Sequence, residues 1–188
     1  MRKIIVGMTG ASGSLLTIRT LEALRDVADV ETHLVLSAEA ARTLELEVPG
    51  RSAADLERLA DVVHHHANLA APISSGSFLT AGMLVVPCSM KTASAIAHSY
   101  NDNLVTRAAD VTLKERRPLV LVVRETPLHV GHLRTLVQLA EIGAVILPPI
   151  VGFYTQPKTI DDVVNHTVGK ALDQLGVEHN LFARWSGA

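Results

Sequence analysis

The sequence predicts an α/β domain with a Rossmann-like, doubly wound parallel sheet. Three observations predict it. Short apolar runs alternate with segments of helical periodicity from one end of the chain to the other. Apolar runs such as "MLVVPC" and "LVLVV", alternating with helices, are expected of a parallel sheet covered on both faces. A glycine-rich turn, "VGMTGASGS" at 6–14, follows the first run, where doubly wound folds hold a ligand. The rival is an α+β domain, which the regular alternation disfavours.

The elements follow in order. "KIIVGM" (3–8) is the first strand, and 13–27 is a helix with Leu16, Ala23, Leu24 and Val27 on one face. "VETHLVLS" (30–37) is the second strand and 38–47 a second helix. Residues 48–72 form a polar stretch without a clear period, and the loop "ISSGSFLTAG" (73–82) leads to a third apolar run, "MLVVPC". Two helical patterns cover 89–100 and 103–116. "RPLVLVV" (117–123) is a strand, 129–143 a helix, and "AVILPP" (144–149) a last strand. The final helix starts near Thr159, with Asp162 three residues on as a capping box. Its apolar stripe runs through Ile160, Val163, Val164, Thr167, Val168, Ala171, Leu172 and Leu175. No repeat, low-complexity tract or interior linker interrupts 1–188, so one domain is expected.

Composition excludes several classes. The 188 residues are 48% apolar, enough for a real core and too much for a disordered chain. No apolar run reaches bilayer length, and the start reads as a strand rather than a signal peptide, so a cytoplasmic location is the default. A net charge of −2 gives no electrostatic case for nucleic acid or an anionic membrane. The single cysteine excludes an internal disulfide and a cysteine-built zinc site.

Ligands in open parallel sheets bind beyond the carboxyl ends of the strands. Those ends carry "TGAS", Ser37, "PCS", Arg124 with Glu125, and a proline pair. Gly7, Gly10 and Gly13 are spaced G-x-x-G-x-x-G, and Ser37 stands where a dinucleotide fold carries an acidic residue for the adenosine ribose. "YTQPK" (154–158) matches the Y-x-x-x-K pattern of short-chain dehydrogenases, yet Pro157 would break the helix that pattern needs. A mononucleotide with a terminal phosphate suits the serines better. Other features have bland readings beside the chemical ones. Cys88 reads as a buried structural thiol, and His64 to His66 splay apart, which argues against a metal site. His129 and His132 share a face with no further ligand. Arg107 and Lys114 share a helical face as an ion-pair row or an anion site, and "SSGS" (74–77) is either an anion loop or a plain one.

"GMTGASG", "SSGSF", "VVPCSMKT", "NLVTRAADVTLKERRPLVLVVRETPLH", "GAVILPP", "GFYTQP" and "LFARW" together resemble the flavin prenyltransferase family of the UbiX type, over essentially the whole chain. The block at 108–127 carries most of the specificity. The resemblance implies a flavoprotein-type fold and transfer of a dimethylallyl group from dimethylallyl phosphate to reduced FMN, without a metal. The product, prenylated FMN, would serve a UbiD-type decarboxylase, in ubiquinone biosynthesis or in aromatic acid breakdown. It implies FMN contacts at Gly10, Ala11, Ser12, Ser37, Ser89, Met90, Lys91, Thr92 and Arg124. It implies donor contacts at Tyr154 and Lys170, with Arg107 and Lys114 near the phosphate. Ser12, Glu47, Glu125 and Lys114 are the implied catalytic residues. The family forms homododecamers with sites where subunits meet, which would place the C-terminal helix and tail at interfaces. One departure stands out: Leu69 and Ala70 precede "SSGS" where some members carry an aromatic residue, implying a more aliphatic prenyl pocket. The alternatives are a flavin- or nicotinamide-dependent oxidoreductase and a non-catalytic flavin carrier for a decarboxylase.

Overall fold

The computed structural model describes residues 1–185 and 187. Six strands form one parallel sheet: β1 (Arg2–Met8), β2 (Val30–Leu36), β3 (Val62–His65), β4 (Gly82–Cys88), β5 (Leu119–Val123) and β6 (Val145–Ile146), in the order 3-2-1-4-5-6. Among the described residues seven α-helices connect and cover it: α1 (Ser14–Arg25), α2 (Ala40–Glu47), α3 (Ala53–Glu57), α4 (Met90–Ala97), α5 (Leu104–Lys114), α6 (Val130–Glu141) and α7 (Ile160–Gln174).

The apolar runs of the central strands are explained by two cores. Ile4, Val6 and Met8 of β1, Leu84 and Val86 of β4, and Val120 and Val122 of β5 face one side, against α1, α2 and α7. Ile5, Met83, Val85, Leu119, Leu121 and Val123 face the other, against α4, α5 and α6. Alternate residues thus enter opposite cores. Burying each of these side chains contributes roughly 1.5–3 kcal/mol. Gly7 admits α5 to the sheet: a Cβ there would stand 3.2 Å from both Met83 Cε and Val105 Cγ1.

Local signals hold at the helix starts. Thr159 Oγ1 accepts the Asp162 N–H and the Asp162 carboxylate accepts the Thr159 N–H, closing the expected capping box of α7. The α7 stripe is buried at Val164, Thr167, Val168, Ala171 and Leu172, while Ile160 is exposed. Two elements lie inside the stretch expected to be irregular. β3 is a four-residue edge strand with two valines, and α3 is a single capped turn. Both are too short to show a period. The strand expected at 144–149 is only Val145–Ile146, because Pro148 and Pro149 have no N–H to continue a ladder. No helix among the described residues is long and apolar enough to cross a membrane.

Candidate active site at the sheet switch point

The order of connection reverses between β1 and β4, so the loops leaving their carboxyl ends part and open a cleft. Thr9 ties the two ends together. Its hydroxyl donates to Pro87 O at 2.8 Å and accepts the Ser89 N–H at 2.9 Å, with Thr9 itself buried. The cleft encloses about 450 Å³. Its walls are Thr9 and Gly10 after β1, Ser37 to Glu39 after β2, His66 after β3, Ser89, Lys91, Thr92 and Ala95 of α4, and Asp102, Asn103 and Thr106 at the start of α5.

The anion at the glycine turn is the protein's own. Glu47, the last residue of α2, accepts from the Gly13 N–H at 3.0 and 3.1 Å, the Ser14 N–H at 2.7 Å and the Ser14 hydroxyl at 2.6 Å. Its carboxylate therefore occupies the positive end of α1, where the sequence suggested a phosphate. Burial pushes its pKa up. Hydrogen bonds from the Ser12 and Ser14 hydroxyls and from the Ser14 and Gly13 N–H groups outweigh that, leaving it below the usual 4.5. Gly13 has φ 131°, which other residues avoid, so the turn needs glycine. Gly10 is small for a different reason: a Cβ there would lie 2.8 Å from Glu39 Cβ.

The phosphate-ready terminus is that of α4. Ser89 caps it, its Oγ accepting the Thr92 N–H at 3.3 Å. The N–H groups of Met90 and Lys91 precede the first intrahelical bond, and Lys91 lines the cleft. Among the described residues, Arg124 Nε at the end of β5 is buried without an acceptor, a donor left for a ligand. This donor set fits a phosphate-bearing mononucleotide such as FMN.

Of the residues implied for FMN, Gly10, Ser37, Ser89, Lys91 and Thr92 line this cleft. Ala11 and Ser12 after β1, Met90 at the start of α4 and Arg124 after β5 adjoin the cleft lining without being part of it. Glu125 is exposed, its Oε1 accepting the Thr126 N–H at 3.2 Å. Arg107 and Lys114 do share a face, against the 74–77 loop. Arg107 donates to Ser74 O at 3.1 Å and pairs with Asp110, and Lys114 pairs with Glu115 beside Gly76. Arg117 pins the loop further, donating to Gly76 O and Phe78 O. Yet Lys114 ends α5 while Thr106 marks the cleft, about 12 Å away along the helix axis. Tyr154 lies in a second cleft lined by α7 and the C-terminal segment, and Lys170 lies on α7. Within one chain, Lys114, Tyr154 and Lys170 do not line the flavin-sized cleft.

The remaining candidates resolve simply. Cys88 is buried, and burial pushes its thiol up to about 12. His64 stacks on His33 and hydrogen-bonds it at 2.9 Å, while His65 and His66 stack on each other. Residues 153–155 form a 3-10 turn ended by Gln156 at φ 51°, so Tyr154 and Lys158 never share a helix.

The family model for flavoproteins matches residues 1–172. The flavin prenyltransferase UbiX of Escherichia coli K12 is 58% identical over 190 residues, covering all of both chains. The chain belongs to the UbiX family of flavoproteins. The UbiX of Thauera aromatica is 55% identical over 98% of this chain and 94% of its own. A crystal structure of AnUbiX (PadA1), described in complex with FMN and dimethylallyl pyrophosphate, is 48% identical over 100% of this chain and 98% of its own, with a TM-score of 0.96. A dodecameric FMN-dependent UbiX-like decarboxylase from Escherichia coli O157:H7 is 54% identical over 98% of this chain and 100% of its own, with a TM-score of 0.95. Membership accounts for the parallel sheet and the cleft together.

Sequence reasoning did not bring Ser14, His66, Asn103 and Thr106 to this site, and Thr9 was read only as part of the "TGAS" strand end. Thr9 carried a signal, being a hydroxyl directly at the end of the first strand. Asn103 carried one too, as a cap residue before a helical pattern. His66 had none, since only the pairing of β3 brings it to the cleft.

Proposed function

We propose that this protein is a flavin prenyltransferase that joins the dimethylallyl group of dimethylallyl phosphate to N5 and C6 of reduced FMN. The observation that carries the reading is 58% identity to a UbiX enzyme across the full length of both chains. The switch-point cleft supports it, with backbone and hydroxyl donors suited to a mononucleotide phosphate at the start of α4. Reduced FMN supplies the nucleophilic nitrogen and the electron-rich ring carbon.

The chain's own groups do the rest. Donors on the departing phosphate lower the barrier to ionising the allylic C–O bond, and Arg107, Lys114, Tyr154 and Lys170 supply them. An apolar wall keeps water from the cationic prenyl group, and Leu69 and Ala70 make that wall aliphatic here. Ser12 stands beside the Glu47 carboxylate and helps to lower its pKa, so a proton leaving N5 has a short path from hydroxyl to carboxylate. For the second bond the departed phosphate, once protonated, gives a proton to C2 of the prenyl double bond; the cation left at C3 is attacked by C6, and the phosphate takes back the C6 proton. Glu125 is the second active-site carboxylate.

Because one chain separates Lys114, Tyr154 and Lys170 from the flavin cleft, we place the complete site between subunits of a homododecamer, with α7 and the tail at the interfaces. Residues 1–188 act as one FMN-binding domain. The product passes to a UbiD-type decarboxylase in the cytoplasm.

The test is anaerobic incubation with reduced FMN and either dimethylallyl phosphate or the pyrophosphate, with and without EDTA, followed by mass spectrometry of the flavin. A prenylated flavin that survives EDTA is expected, since the sequence has no aspartate-rich metal motif and Asp161 and Asp162 open α7. Unmodified FMN would favour a carrier, and consumption of a reducible substrate an oxidoreductase.

A further inference from the structure

Asp173 near the end of α7 gathers three basic side chains onto one carboxylate. Arg184 makes a two-pronged contact at 2.7 and 3.1 Å, His179 Nε2 lies at 3.2 Å, and Lys170 Nζ at 3.9 Å. A two-pronged guanidinium–carboxylate contact fixes orientation as well as distance. The segment it holds is packed, not merely tethered. His179 is 4% exposed, and a Cβ on Gly169 would stand 2.5 Å from the Phe182 ring and 2.6 Å from the His179 ring. Glycine in mid-helix, normally unfavourable, is there so that the chain can fold back on α7.

The folded-back segment builds one wall of the cleft that holds Tyr154, an opening of about 540 Å³ that Arg184 and Trp185 also line. Tyr154 meets the Trp185 ring edge-on at 6.1 Å, and its hydroxyl is 3.4 Å from His166 Nε2. Lys170 and Arg184 face Asp173, and Lys158 and Asp162 line the same cleft with opposite charges, so one positive charge is left in surplus, a field that favours an anion beside Tyr154.

We propose that Asp173 is a positioning residue for the prenyl donor: it anchors residues 178–185 on α7 and holds Lys170 and Arg184 on the same side as Tyr154, shaping the place the phosphate occupies. The inference rests on the prenyltransferase reading, and its test separates the two. Trp185 is the only tryptophan, so its time-resolved anisotropy reports the segment without any substrate. In the full-length assembled protein, Asp173→Asn and, independently, Arg184→Gln should both speed Trp185 depolarisation while leaving far-UV circular dichroism unchanged. Asp173→Asn should raise KM for dimethylallyl phosphate roughly tenfold, with kcat within about threefold and FMN affinity unchanged. Asp173→Glu should recover most of that loss. Unchanged anisotropy in both variants would overturn the anchoring. Faster depolarisation with unchanged KM would overturn the link to the donor, and an equal loss of FMN affinity would overturn its selectivity. A wild-type protein that makes no prenylated flavin would overturn the prenyltransferase reading, and the donor role with it, while leaving the anchoring to be judged by anisotropy.

Discussion

Replacing Glu47 with glutamine keeps the shape of the side chain but removes its charge and one of its two acceptor atoms. Three donors converge on Oε2: the Gly13 N–H, the Ser14 N–H and the Ser14 hydroxyl. A glutamine carbonyl in that place still accepts them, as neutral bonds worth ~0.5–1.5 kcal/mol each against ~1.5–3 for bonds to a charge. The amide nitrogen then falls near Oε1 and faces the Gly13 N–H, donor against donor. Summed naively, the loss is about 3–4 kcal/mol. Solvent reaches Glu47, which screens the charge, so a net destabilisation of about 1–2 kcal/mol is expected. For a chain of this size that lowers Tm by roughly 2–8 °C, read by thermal unfolding at matched protein concentration. The pH dependence has a definite sign. The folded carboxyl sits below 4.5, so its stabilisation is complete above 4.5 and disappears as pH falls through the lowered folded value. The gap between wild type and variant should therefore close in acid. Turnover should drop by roughly a hundredfold or more while FMN still binds, the usual scale of acid/base catalysis. An unchanged turnover with an unchanged pH profile would remove Glu47 from proton transfer. An unchanged Tm gap between pH 7 and acid would refute the charge argument.

Further outcomes follow from neighbouring residues. Ser12→Ala should fold and bind FMN with a strongly slowed first bond to N5, followed by anaerobic stopped-flow absorbance; wild-type rates would show that the hydroxyl is dispensable. Tyr154→Phe and Lys170→Ala should each weaken use of the prenyl donor by roughly 1.5–3 kcal/mol where the bond to the charged phosphate is well formed, with FMN affinity by fluorescence titration unaffected. Equal loss of FMN affinity would place these side chains at the flavin. Cys88, buried with its thiol pushed up to about 12, should resist iodoacetamide in the native protein at pH 8 and react only on unfolding. Rapid native alkylation would contradict its burial.

What the sequence determined by itself is largely local or periodic. Apolar runs long enough to cross a sheet declared β1, β2, β4 and β5, and the pairing of Thr159 with Asp162 declared the start of α7, because such signals act between residues a few positions apart. The shared face of Arg107 and Lys114 was legible from their separation of seven. β3 was not, since two valines in a polar stretch become a strand only when β2 offers an edge to pair with. The use of the glycine turn was decided by tertiary structure alone. Read locally, a strand, a glycine-rich turn and a helix start suggest a phosphate on that turn. In the folded chain Glu47, 33 or more residues away, fills the place first. The sequence could not show this, because which anion reaches a helix terminus depends on where a distant helix ends. The same holds for Asp173: its partners Lys170, His179 and Arg184 are close in the chain, but only the fold-back over Gly169 turns proximity into a clamp. The separation of Lys114 from the flavin cleft is likewise a tertiary fact, set by the length of α5 and the direction in which a right-handed crossover must run.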